Sequence, residues 1–201
     1  MLRSLLAALA VALLSACSGA SSTAPEAVGT RAESVLSYEV RAAGDAYPFV
    51  VSVTQNDIDG IGFRFDLADG QTQGSLSMNS NAIDHGTIMV NRFTSRAYML
   101  TDKTSVWLAR EPFAQLRAGE TVGLDLGQGT RRDFSGACGE TYTVGTAGGD
   151  TYTVPACRFA TAAEGAQQTL IVADDAEQPL ILSMNTGLFE VSLQTALPAS
   201  R

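Results

Sequence analysis

Three cysteines and a single histidine bound the chemistry open to this chain of 201 residues. Cys138 and Cys157 lack both the Cys-x-x-Cys spacing of a redox pair and the clustered thiolate and imidazole ligands of a zinc site. In an oxidising compartment two thiols in one domain pair, so a structural disulfide is expected. Residues 140–144 and 150–154 nearly repeat on either side of Gly145-Thr146-Ala147-Gly148-Gly149, the pattern of a hairpin whose open end that bond would staple. Opposed cysteines and opposed apolar residues, Tyr142 with Val154 and Val144 with Tyr152, require registers one residue apart. A bulge at Pro155-Ala156 is expected to absorb the difference.

His85, in Ile83-Asp84-His85-Gly86, would have to serve as base in any Ser-His-Asp arrangement, yet no Gly-x-Ser-x-Gly elbow accompanies it. Asp84 beside it is no partner on extended chain, where adjacent side chains point apart. The residue reads as a polar loop position ahead of a strand. The run Gln55-Asn56-Asp57-Ile58-Asp59-Gly60 partly matches a calcium loop. Gln55 replaces the first ligand, Asp66 stands where the closing glutamate belongs, and the flanks alternate like strands. A hairpin turn accounts for the same residues. Asp174-Asp175-Ala176-Glu177 likewise reads as a solvated turn. No catalytic residue, metal ligand or cofactor site emerges, and a non-enzymatic protein is expected.

The third cysteine lies in a different context. Arg3 precedes an apolar run over residues 5–14, and Leu14-Ser15-Ala16 leads into Cys17. The run is shorter than the roughly 20 residues needed to span a bilayer. Leu14 also spoils the small-x-small site of an ordinary secretory signal. The string resembles the lipobox of bacterial lipoproteins. That resemblance implies that residues 1–16 are a signal peptide. It also implies that Cys17 becomes the N-terminus, with acyl chains such as palmitate on its sulfur and amine. Each buried acyl methylene contributes about 0.8 kcal/mol, so several chains on one residue anchor a domain to the membrane without a span. Ser18, where lipoproteins of the inner membrane carry Asp, points to the outer membrane and the periplasm.

The net charge is −8, and removing residues 1–16 takes away one arginine and no acid, making the remainder one unit more negative. Nucleic acid is excluded as a partner on that charge. Residues 17–33, small and polar after the cysteine, read as a lipidated tether with an end-to-end distance of roughly 20 to 25 Å.

From there the sequence alternates. Leu36, Tyr38 and Val40 share one face; so do Tyr47, Phe49, Val51 and Val53, and then Ile61, Phe63 and Phe65, with turns at Asp57-Ile58-Asp59-Gly60 and Asp69-Gly70. Further strands are expected at 86–90, 96–100, 105–109, 121–126, 140–144, 151–154, 169–173, 180–184 and 188–194. The one helix is expected near 111–118, with Pro112 in its first turn, Phe113 and Leu116 three apart, and Gly119 at its end. These elements make one β-rich domain over 34–197, followed by a tail at 198–201. The fold class is all-β: an antiparallel curled sheet, sandwich or (half-)barrel.

Trp107 stands opposite Val106 and Leu108 in an alternating run, so it packs either beneath Phe113 and Leu116 or against a ligand. The anchored, strand-rich layout with a short helix is broadly similar in architecture to the half-barrels of the lipoprotein carriers LolA and LolB, which implies an acyl chain held inside the sheet. Trp107, Phe63, Phe65 and Met78 are the candidate ligand-binding residues on that basis. The function expected is thus a lipid-anchored cell-envelope protein with a non-enzymatic binding or structural role towards another envelope protein. The alternative is a carrier or receptor for a lipid or other apolar ligand. Cys17→Ser is expected to abolish incorporation of labelled acyl chains and leave an uncleaved precursor, as read by metabolic labelling and intact mass.

Overall fold

A computed structural model describes residues 31–162 and 167–197 of the chain. The leader, the Leu14-Ser15-Ala16-Cys17 string and the tail at 198–201 lie outside the described residues, as does the tether except for 31–33. Those three residues form a turn against the domain, with the Glu33 N–H donating to the Val53 carbonyl at 2.8 Å.

The chain forms eleven strands: β1 (Val35–Ala42), β2 (Asp45–Asp57), β3 (Gly60–Leu67), β4 (Thr72–Asn79), β5 (Ala97–Leu100), β6 (Val122–Leu124), β7 (Arg132–Gly145), β8 (Thr151–Thr161), β9 (Thr169–Ala173), β10 (Ile181–Asn185) and β11 (Phe189–Leu197). They make one sheet in the order β5-β4-β3-β2-β1-β11-β10-β9-β8-β7-β6. Neighbours run antiparallel except β4 and β5. The fold is all-β, a single curled sheet. β1 to β4 and β6 to β11 are meanders, with β5 added parallel to β4, and the two halves are joined where the first strand pairs with the last: Leu36 faces Ala196, Tyr38 faces Leu193 and Val40 faces Val191. Curling is tightest in the second half, where Gly145 at the end of β7 reaches Thr195 of β11 although three strands lie between them in the sheet.

Period-two alternation builds the core. Leu36, Tyr38, Val40, Phe49, Val51, Val53, Ile61, Phe63 and Phe65 are all buried, as the apolar faces of three consecutive strands require. Strand β4, Thr72-Gln73-Gly74-Ser75-Leu76-Ser77-Met78-Asn79, was not expected, because only Leu76 and Met78 mark its buried face. Its small residues have a packing reason: a Cβ at Gly74 would lie 2.3 Å from the Arg96 carbonyl oxygen and 2.5 Å from the Phe65 ring.

Two helices are present, not one. Arg110–Arg117 (α2) matches the expected helix and buries Pro112, Phe113 and Leu116. Ser80–His85 (α1) was read as loop. Asn79 caps it, accepting a hydrogen bond from the Ala82 N–H at 3.0 Å, and it buries Ala82 and Ile83. His85 is therefore the last residue of a helix. Residues 86–90 and 105–109 are not regular strands; they contribute isolated bridges, Ile88 to Asp125, Met89 to Thr104 and Trp107 to Leu180. The connection between the two edge strands thus crosses over the sheet and ties its distant parts together.

Cys138 and Cys157 lie directly opposite one another in the β7–β8 ladder and are joined by a disulfide. Beyond them Tyr142 pairs with Val154 and Val144 with Tyr152, so both registers coexist. The bulge that reconciles them falls on the opposite strand from Pro155-Ala156. Gly139 is left unpaired between Cys138 and Glu140, at φ +112°, where a glycine adopts the bulge without the strain a side chain would bring. The loop closed by the bond, with a separation of 19 residues, corresponds to about 3 kcal/mol of chain entropy. Reduction, or Cys138→Ser with Cys157→Ser, is expected to lower unfolding stability by about 2–3 kcal/mol in a urea titration.

Candidate functional site

A cavity of about 150 Å³ opens at the seam between the two halves of the sheet. Tyr38, Val40 and Ala42 of β1 form one wall, continued by Tyr47 and Phe49 of β2 and Leu67 at the end of β3. On the other side of β1 the same wall continues through Phe189 and Val191 of β11 to Ile181 and Met184 of β10. The crossover supplies the rest: Met89, Val90, Asn91, Phe93, Ser105 and Val106. Strand alternation explains the sheet side of this lining, since Tyr38, Val40 and Phe49 are inward positions of their strands and Val40 and Val191 are cross-strand partners.

Three polar side chains of the wall are engaged by backbone carbonyls. Tyr38 Oη donates to the Ile181 carbonyl at 3.0 Å, spanning from β1 over β11 to β10. Ser105 Oγ donates to the Val90 carbonyl at 2.8 Å, and Asn91 Nδ2 donates to the Leu126 carbonyl. Burial, with a smaller contribution from Tyr142, pushes the Tyr38 phenol far above its ordinary range, so it remains a neutral donor. The rest of the lining is mainly aliphatic carbon, thioether and aromatic ring, with the Tyr47 phenol among it. A cavity of that size and lining takes a small hydrocarbon group rather than a charged one; an apolar engineered cavity of the same order binds benzene.

The four residues put forward from the sequence as ligand contacts occupy a different layer. Trp107, Phe63, Phe65 and Met78 are buried in the packed core, and none of them lines this cavity. Each instead backs a residue that does. Phe65 packs on Phe93 with ring centroids 4.9 Å apart, and Phe93 in turn packs on Phe49 at 4.9 Å. Met78 Sδ accepts the Ser105 N–H at 3.3 Å. Phe63 lies 5.8 Å from the Trp107 ring, and Trp107 follows Val106 in the chain. Nor does α2 cover the indole. Phe113 and Leu116 pack in a second cluster with Leu108, while Trp107 belongs to the first with α1 and β1 to β4. The inward strand residues of the cavity were visible as core in the sequence; the crossover residues were not, because Asn91-Arg92-Phe93-Thr94-Ser95 has no apolar period.

The other groups weighed from the sequence have structural partners. His85 Nδ1 meets Glu111 Oε2 at 2.6 Å, an exposed pair, and Arg110 meets Asp84 at 3.0 Å, a half-buried one; both join α1 to α2. Asp57 accepts the N–H groups of Asp59 at 2.9 Å and Gly60 at 3.3 Å, closing the β2–β3 turn. Hydrogen bonds from Gln55 and these amides hold its carboxyl below the usual carboxylate range. Among the described residues the one grouping with metal-ligand spacing is Cys138, Cys157 and Asp174, and its two sulfurs are bonded to each other.

Comparison with family models, curated proteins and solved structures finds no match.

Tyr38→Phe keeps the ring and leaves the buried Ile181 carbonyl without its donor. It is expected to lower the stability by about 1–3 kcal/mol, read as a fall in the urea midpoint at unchanged slope.

Proposed function

We propose that this protein is a lipid-anchored component of the cell envelope, attached at Cys17, whose curled sheet binds a small apolar molecule or a single acyl chain. The observation that carries the reading is the seam cavity, with apolar walls and with the hydroxyls of Tyr38 and Ser105 and the amide of Asn91 directed to backbone carbonyls. A mainly apolar site gains from hydrocarbon and loses from a charged group that must give up its water. The role is binding, not catalysis. The cavity favours a carrier or receptor over a purely structural partner module, since a scaffold would gain stability by filling that space.

Outer-membrane attachment rests on the Leu14-Ser15-Ala16-Cys17-Ser18 string. The acidic balance of the chain agrees with a domain held away from anionic lipid by its tether.

The direct experiment is to direct the domain to a periplasm without Cys17, purify it without detergent, and extract it for lipid analysis by mass spectrometry. A co-purifying apolar molecule near one equivalent is the expected result. A folded domain that is empty and takes up no apolar fluorescent probe would remove the carrier reading in favour of a protein-binding module.

A further inference from the structure

The wall of the cavity contains the most constrained backbone position among the described β-branched residues. Val106 has φ +67°, a region that a valine side chain disfavours strongly. The Trp107 N–H donates to the Ser105 carbonyl at 2.7 Å, closing a tight three-residue turn with Val106 at its centre. The surroundings hold this turn from every side. The Ile181 N–H donates to the Val106 carbonyl at 2.9 Å, the Leu108 N–H to the Pro179 carbonyl at 3.0 Å, and Ser105 is fixed through both its N–H and its hydroxyl. Trp107, 1 % exposed, locks the far side against Phe63. Strain of this kind persists only where neighbouring packing over-determines it, and it gathers at ligand sites.

We infer that Val106 is the specificity-determining residue of the cavity, a gauge set into the wall by the strained turn that fixes how long a hydrocarbon chain the cavity accepts. The inference rests on the apolar-ligand reading above. A regular strand at 105–109 would have sent Val106 and Trp107 to opposite faces. The turn instead places Val106 in the cavity wall while Trp107 goes into the core. Ser105 and Ile181, which hold the turn, line the same space, so the position of the valine is tied to the shape of the cavity it borders.

The chain reports on this site itself, because Trp107 is its single tryptophan and follows Val106 directly. The full chain in nanodiscs is titrated with n-alkanols from butanol to decanol, following Trp107 emission and melting temperature, for the unchanged protein and for Val106→Gly, Val106→Ala and Val106→Phe. The unchanged protein should show an optimum chain length. Val106→Ala and Val106→Gly should move it to longer alcohols, with about a fourfold gain in affinity for each added methylene that the enlarged space buries. Val106→Phe should move it to shorter ones. Glycine adopts the turn freely, so Val106→Gly should fold and melt at or above Val106→Ala, the reverse of the order at an ordinary position. An optimum in the unchanged protein that stays put in all three variants overturns the gauge while leaving the cavity as a ligand site. No response to any alkanol in the unchanged protein overturns the apolar-ligand reading and the gauge together.

Discussion

The pairing of β1 with β11 is the constraint on which the rest of this molecule depends. The meanders β1 to β4 and β6 to β11 could each form from local hairpins, but only the ladder from Leu36–Ala196 to Ala42–Phe189 makes them one surface. A sheet of eleven strands carries its twist into a curl, and the concave side must then be filled. The crossover between β5 and β6 does this, bringing Trp107 against Phe63 on one side and Leu180 on the other. The filling is incomplete at one place, and that place is the seam itself, where Val40 faces Val191 and Ala42 faces Phe189. Joining the halves and leaving a space are consequences of the same geometry.

The strands with strict alternation were legible because burial on one face leaves no freedom in which residues point inward; Leu36 through Phe65 illustrate this. The disulfide and both hairpin registers were legible for a related reason, since cysteine pairing and apolar matching are separate constraints on one ladder. Which strand took the extra residue was not, because Pro155 and Gly139 both suit a bulge and only the three-dimensional pairing selects Gly139. Strand β4 escaped because its smallness answers to Phe65 and to Arg96 just ahead of β5, contacts that lie outside its own period. Helix α1 escaped because six residues with two buried positions carry too little pattern to stand out.

The site was legible by halves. Its sheet wall follows from alternation; its crossover wall follows from tertiary hydrogen bonds that override local preference. Val106 is the sharpest case. Val-Trp-Leu reads as extended chain by propensity, and the structure turns it at the valine. Trp107, Phe63, Phe65 and Met78, large and apolar, drew attention as contacts for a ligand. Their size serves instead to hold Phe93, Ser105 and Val106 in place. A wall made of residues that are themselves backed by rings is stiff, which suits a cavity that must keep its shape when empty.

The first strand pairing with the last has a further consequence in time. As the chain folds, β1 can pair with β2 at once, but its other edge stays open until β11 docks. Throughout that interval the half-sheet β1 to β4 exposes an unpaired row of backbone N–H and carbonyl groups beside uncovered phenylalanines, the arrangement that seeds edge-to-edge aggregation. Contacts of such long sequence separation also make for slow folding. A sheet whose two halves pair only through its final strand thus keeps that edge open until the last strand is in place.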